Sequence, residues 1–341
     1  MNLSNKKILM IAIIFLSIGA TIGFFIPHSS NSQNQTAADD RSVRQGGYTF
    51  INPLLSCDIS EDKQFTEYQL ITNKFKAYID QHISNGDAQD ISVYFRGLDS
   101  GEWSGVNENN TYSPASLLKV PLMIAWLKEV DTNPSLLNQQ ITYHQTTDGN
   151  AVETYKPKQY IQDGKNYSVD DLLHYMILYS DNNAAQLLQD NVNQNSLVEV
   201  YSDLGIPVSA SLSEDSITPK IYSYIFRILY NATYLSKTMS QYALELLAPS
   251  DFPGGIKGGI PTNMPSAQKF GERSIFSKNV TTGQTTLSYR ELHDCGIVYY
   301  PHNPYLICIM TKGQDFTKLS KIISDISAIV YKETERGVLK I

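Results

Sequence analysis

Cysteine is scarce in this 341-residue chain, and the three present, Cys57, Cys295 and Cys308, are far apart. None has histidines nearby at ligand spacing, which excludes the common zinc patterns. An odd number also excludes a disulfide set that pairs every cysteine within the chain. Cys308 lies in the apolar run Leu306 to Met310 and is expected to be a buried thiol. Positive charge is short as well: 27 Lys and Arg face 34 Asp and Glu, and the net charge of −7 argues against nonspecific binding to nucleic acid. Charged residues are only 18% of the chain against 42% hydrophobic, so a packed core is expected and wholesale disorder is not. No segment repeats.

What is present begins at the N-terminus. Lys6 and Lys7 precede a mostly apolar run, Ile8 to Ile26, which is long enough to cross a bilayer. No small-residue cleavage site follows it, so residues 1–26 read as a membrane anchor or uncleaved signal. The paired lysines place that end in the cytoplasm and the rest of the chain outside it. Residues 27–47 are rich in Ser, Asn, Gln, Asp and Gly and read as a flexible linker. Residues 48–341 are left as the folded part.

In that part Glu61 to Ser84 has helical spacing, and 91–98 and 102–107 read as strands joined by a turn at Asp99-Ser100-Gly101. From Ser113 to about Leu247 the pattern is helical, a block of about 113–250. Strands return at about 266–275, 293–300 and 304–311, and a helix closes the chain from about Phe316 to Lys332. Strands from both ends of the chain are therefore expected to share one antiparallel sheet, with the helical block inserted between them.

The stretch "SPASLLKVP" (113–121) carries the first candidate chemistry. Ser113 suits a helix N-cap and Pro114 the first helical position, which puts Ser116 in the first turn. Lys119, three residues on, shares its face, so the hydroxyl and the amine are expected to meet. A serine needs a base beside it to act as a nucleophile, and a lysine serves if burial lowers its pKa. Residues 117–124 are apolar almost all round, so the helix is expected to be buried. Spacing alone is weak, since Ser-x-x-Lys occurs four times here.

"YSDNNAAQLL" (179–188) follows a helix opened by a Ser168/Asp171 capping-box pattern. Ser180 or Asp181 reads as a cap for the next helix, or Ser180 as a proton relay with Asn182 binding substrate. "SAQKFGERS" (266–274) reads as a strand, where Lys269 either supplies positive charge or is a solvent-exposed lysine and Gly271 lets a substrate backbone approach closely. His293 beside Asp294 reads as structural, and "PGGIKGG" as a turn over the cleft.

Taken in order, Ser-x-x-Lys, Ser-Asp-Asn and Lys-x-Gly resemble the penicillin-recognising serine enzymes, the class A β-lactamase type most closely. "DSITP" (215–219) and the stretch 293–313 are similar to further landmarks of that family, and the resemblance covers about residues 60–335. It implies an α+β fold of β-lactamase/transpeptidase type: an antiparallel five-stranded sheet flanked by helices, plus an inserted all-helical subdomain. It also implies roles. Ser116 attacks an amide or lactam carbonyl, Lys119 takes its proton, and Ser180 passes a proton to the leaving nitrogen beside Lys269. Asn182 orients the substrate amide, Gly271 belongs to the substrate-binding strand with Lys269, and the backbone N–H groups of Ser116 and Glu272 form the oxyanion hole. No metal or other cofactor is implied. The partners implied are a small-molecule β-lactam or a cell-wall peptide.

Two departures from the family pattern stand out. No Glu-x-x-Leu-Asn follows Ser180: only Glu199, Glu214 and Glu245 lie between the second and third motifs, and the stretch from Leu204 to Pro219 is short. Phe270 stands where the family has a hydroxyl that holds a substrate carboxylate, with Arg273 the nearest substitute. The reading is therefore an anchored, extracytoplasmic serine hydrolase working through acyl-Ser116. A D,D-peptidase-like enzyme and a non-catalytic binding or sensor module are the alternatives.

Overall fold

The computed structural model describes residues 43–56, 68–207, 217–250, 252, 254–278 and 283–339. The expected anchor (1–26), most of the linker, residues 61–67 of the first expected helix and most of the short stretch before Pro219 lie outside these residues. Among the described residues, no helix is long and apolar enough to cross a membrane.

β1 (Val43–Arg44) pairs with β2 (Leu54–Ser56), so the end of the expected linker is tied to the folded part. Then come α1 (Gln69–Ser84) and the hairpin β3 (Asp90–Gly97) and β4 (Trp103–Val106). A 3-10 turn, Ala115–Leu118, leads into α2 (Lys119–Thr132). Short strands β5 (Gln140–Thr142) and β6 (Asn166–Ser168) pair with each other. α3 (Val169–Leu178), α4 (Asn182–Asn191), α5 (Gln194–Asp203), α6 (Pro219–Asn231) and α7 (Lys237–Leu247) follow. The one-turn α8 (Gly255–Gly258), strands β7 (Ser266–Lys278), β8 (Thr285–Val298) and β9 (Tyr305–Gly313), and α9 (Phe316–Glu335) complete the chain.

The expected sheet is there, five antiparallel strands in the order β4-β3-β9-β8-β7. β9 is central and therefore apolar on both faces. Leu306, Cys308 and Met310 join the core of the helical block, while Ile307 and Ile309 pack with α1 and α9 on the other side. Caps fix where helices begin. The Ser168 hydroxyl accepts from Asp171 N–H while the Asp171 carboxylate accepts from Ser168 N–H, the capping box read from sequence. Thr218 caps α6 ahead of Pro219, and Asp315 caps α9.

Several expectations need correction. The inserted block is not all helical, because β5 and β6 pair within it; three-residue strands leave no readable alternation. β8 begins well before 293. The "PGGIKGG" run is not a turn over the cleft: α8 packs on α9, where a side chain on Gly259 would sit 2.2 Å from the Ser324 carbonyl oxygen. Cys308 is buried but is not a thiol. It is register partner to Cys295 across β8 and β9, and the two form a disulfide 13 residues apart in sequence.

Candidate active site

α2 is buried on nearly every side, with Val120, Leu122, Met123, Ile124 and Leu127 all in the core. Each such side chain contributes about 1.5–3 kcal/mol on burial, which together outweighs the several kcal/mol that one buried ammonium costs. Lys119 is that ammonium, at 6% exposure. Burial lowers its pKa to about 8, against the opposing pull of Glu153, Asp181 and Glu272.

The helix does not begin as expected. Ser113 is not a cap: its hydroxyl accepts a hydrogen bond from Arg273 Nη1 at 3.0 Å. Ala115 takes a φ of 46°, which breaks helical continuity ahead of Ser116 and leaves Ser116 in the 3-10 turn rather than in an α-helix. The turn is held from below, where the buried Tyr222 hydroxyl donates to the Leu117 carbonyl at 2.9 Å. It is held from the side by β7, because a Cβ on Gly271 would lie 3.1 Å from the Pro114 carbonyl oxygen and from Leu117 Cγ. The close approach that Gly271 permits is thus between the strand and the serine turn of the chain itself.

Ser180 comes into the site through a second positive φ, 60°, which turns both its carbonyl and its hydroxyl towards Lys119. Asp181 caps α4 by accepting from Asn183 N–H, so the structural reading of that residue holds. Lys119 Nζ donates to the Ser180 carbonyl (2.6 Å), the Ser180 hydroxyl (3.0 Å) and Asn182 Oδ1 (2.6 Å). Those three bonds use all the protons of an ammonium. The expected direct pairing of Lys119 with the Ser116 hydroxyl is not among the hydrogen bonds of the described residues.

Lys269 is not an exposed strand lysine but fully buried. Its Nζ donates to the Ser180 hydroxyl at 2.9 Å and to the Phe270 carbonyl at 3.0 Å. Burial holds its pKa well below the usual lysine range, and the neighbouring Lys119 charge adds to the drop. The Ser180 hydroxyl thus sits between two amines, each of which is easily deprotonated. One oxygen that both donates and accepts is suited to passing a proton.

Glu272 is buried, and its carboxylate accepts from Tyr155 N–H at 2.6 Å. Burial pushes its pKa up to about 7, and the charge of the neighbouring Glu153 carboxyl adds to the rise. Glu153 also accepts from Asn182 Nδ2 at 2.6 Å. Sequence reasoning missed Glu153 by seeking a carboxylate only after Ser180. Glu199 instead pairs with Lys128 at the surface, and Glu245 accepts from Gln241. Residue 214 lies outside the described residues. The Phe270 ring stacks on Phe252 at 4.4 Å, with the Lys269 ammonium 4.4 Å from its centre, and Arg273 is engaged with Ser113. His293 is buried against the Ser113 carbonyl, and burial lowers its pKa to about 4.

A model of the beta-lactamase enzyme family matches residues 72–334, a span that includes every residue of this constellation. The chain belongs to that family. Solved structures of similar fold include PBP-A, 19% identical over 82% of this chain and 100% of that chain, with a TM-score of 0.65. A PBP-A variant, 18% identical over the same shares and also at a TM-score of 0.65, is an acyl-enzyme complex with penicillin G. The beta-lactamase of Sphaerobacter thermophilus is 20% identical over 78% of this chain and 97% of its own, with a TM-score of 0.62. The TLA-3 extended-spectrum beta-lactamase is 22% identical over 77% and 99%, with a TM-score of 0.64. At such identities these likenesses show the β-lactamase/transpeptidase fold. No curated protein matches the sequence.

Proposed function

We propose that this family member is an extracytoplasmic serine hydrolase, acylated at Ser116 by a β-lactam or a related amide and held at the membrane by residues 1–26. The observation that carries the reading is the meeting of two buried lysines, Lys119 and Lys269, on the Ser180 hydroxyl, with Asn182 bonded to Lys119. Neutral Lys119 takes the Ser116 proton as Ser116 Oγ bonds to the carbonyl carbon. The proton then moves through the Ser180 hydroxyl to the leaving nitrogen as the C–N bond breaks, which leaves an ester on Ser116. The adjacency of the serine turn and β7 at Gly271 supports the backbone N–H groups of Ser116 and Glu272 as donors to the developing oxyanion. Asn182 offers its amide to the substrate.

A second reading, a penicillin-binding or D,D-peptidase-like protein that releases its acyl group slowly, is favoured by two features. Glu199 and Glu245 are both engaged away from the site, and an apolar Phe270 stands where the family has a hydroxyl. Intact-protein mass spectrometry of the full-length chain with benzylpenicillin separates the readings. An adduct that decays within minutes means a hydrolase, and one that persists for hours means the slow reading. An adduct that also forms on Ser116→Ala rules Ser116 out as the nucleophile.

A further inference from the structure

The segment between β5 and β6 contains no helix or strand, yet it is tightly held. Its base is fastened to the Ser180-Asp181-Asn182 corner. Gly149 N–H donates to Asn183 Oδ1 at 2.8 Å, Asn150 Oδ1 accepts from Asn182 N–H at 2.8 Å, and Asn150 Nδ2 donates to Asp181 Oδ1 at 2.8 Å. Its tip then crosses to the sheet. Glu153 accepts from Asn182 Nδ2 at 2.6 Å, and two residues on, Tyr155 N–H donates to Glu272 on β7 at 2.6 Å. The Tyr155 ring lies against Phe252, Phe270 and Phe316, with centroids 5.0, 6.1 and 5.9 Å away.

Residues 153–155 therefore span the site from Asn182 to Glu272, the two sides joined by the contacts of Lys119 and Lys269 with Ser180. Asn182 has no amide proton to spare. One goes to the Gly149 carbonyl at 2.9 Å and the other to Glu153, while its oxygen accepts from Lys119. A substrate carbonyl that uses Asn182 has to take the place of a carboxylate. Glu153 also acts on the groups around it, its charge raising the pKa of Glu272 and attracting the amines of Lys119 and Lys269.

We propose that residues 149–155 form a self-inhibitory latch in which the Glu153 carboxylate is an internal ligand of Asn182, displaced when an acyl substrate enters. Phe270 belongs to this device: its ring supplies the apolar seat for Tyr155 that a threonine or serine there would not. The latch rests on the acyl-Ser116 reading for its purpose but not for its geometry, so the test reads access separately from acylation.

In the full-length protein, Ser116→Cys provides a thiol whose alkylation is read from its own peptide by mass spectrometry. Its rate is measured with iodoacetamide and with a bulky fluorescein iodoacetamide, and the bulky-to-small ratio cancels changes in thiol reactivity. Adding Glu153→Ala is expected to raise that ratio roughly tenfold, as fits loss of a charge-assisted hydrogen bond. Glu153→Gln keeps an uncharged acceptor and should give a smaller rise in the same direction, which serves if the alanine variant does not fold. An unchanged ratio in a folded variant overturns the latch. With Ser116 restored, Glu153→Ala should also speed adduct formation by benzylpenicillin. A raised ratio with an unchanged acylation rate overturns self-inhibition. A raised ratio with no acylation in any variant sinks the functional reading and leaves the latch standing.

Discussion

Raising the pH from 6 to 8 should accelerate acylation of Ser116 steeply, and the size of the rise follows from Lys119. Burial lowers its pKa to about 8. The base that takes the serine proton is the neutral amine, so the active fraction grows as the pH climbs towards that value. It rises from about one part in a hundred at pH 6 to about one half at pH 8, roughly a fifty-fold gain. One competing titration is that of Glu272, whose carboxyl is pushed up to about 7. Glu272→Gln separates the two. If Lys119 is the base, the rise survives with its midpoint moved slightly lower, because Glu272 helps to keep the Lys119 proton in place. If Glu272 is the titrating group, the rise vanishes. The assay is the second-order rate of labelling with a fluorescent penicillin, followed by gel or stopped flow across the pH range. A flat profile, or a midpoint near the ordinary carboxylate range, would refute lysine as the base.

Further outcomes follow from the supports of the site. Tyr222→Phe removes the side-chain donor to the buried Leu117 carbonyl, which keeps the Lys119 backbone N–H, and should cost about 0.5–1.5 kcal/mol in urea unfolding. Gly271→Ala pushes a methyl group into the Pro114 carbonyl and Leu117, and should cost about 1–3 kcal/mol in thermal unfolding while slowing acylation. Phe270→Ala removes the ring stacked on Phe252 and should cost about 3–5 kcal/mol by denaturant melt. Alkylation of the denatured protein should label two more thiols after reduction than before, because Cys295 and Cys308 are paired; equal labelling would contradict the disulfide.

Much of the fold is legible because its signals are local. The Ser168/Asp171 capping box lies within four residues, and the apolar run after Lys119 announces a buried helix whatever packs around it. Lys119, Ser180, Asn182 and Lys269 are found from three short motifs in order, and the structure brings all four into one hydrogen-bonded group. What stayed hidden depends on pairings between distant segments. Glu153 meets Asn182 across 29 residues from a polar loop with no periodicity. Tyr155, Phe252, Phe270 and Phe316 come from four separate stretches. The disulfide needed the register of β8 on β9, and the break at Ala115 needed a dihedral angle that an alanine codon does not advertise.

The strand order bears on how the chain is made. β9, at the centre of the sheet, is synthesised late, and it inserts between β8 and a β3 formed far earlier: Val93 pairs with Ile309. Until residues 305–313 emerge, β3 presents an open edge to solvent, while the helices between have mostly near neighbours to pack against. Ribosomal order thus sets the helical block first and the sheet last. A chain stopped near Val298 would carry an unfilled strand position ready to accept a foreign strand, so truncation there is expected to give aggregate rather than a smaller soluble domain.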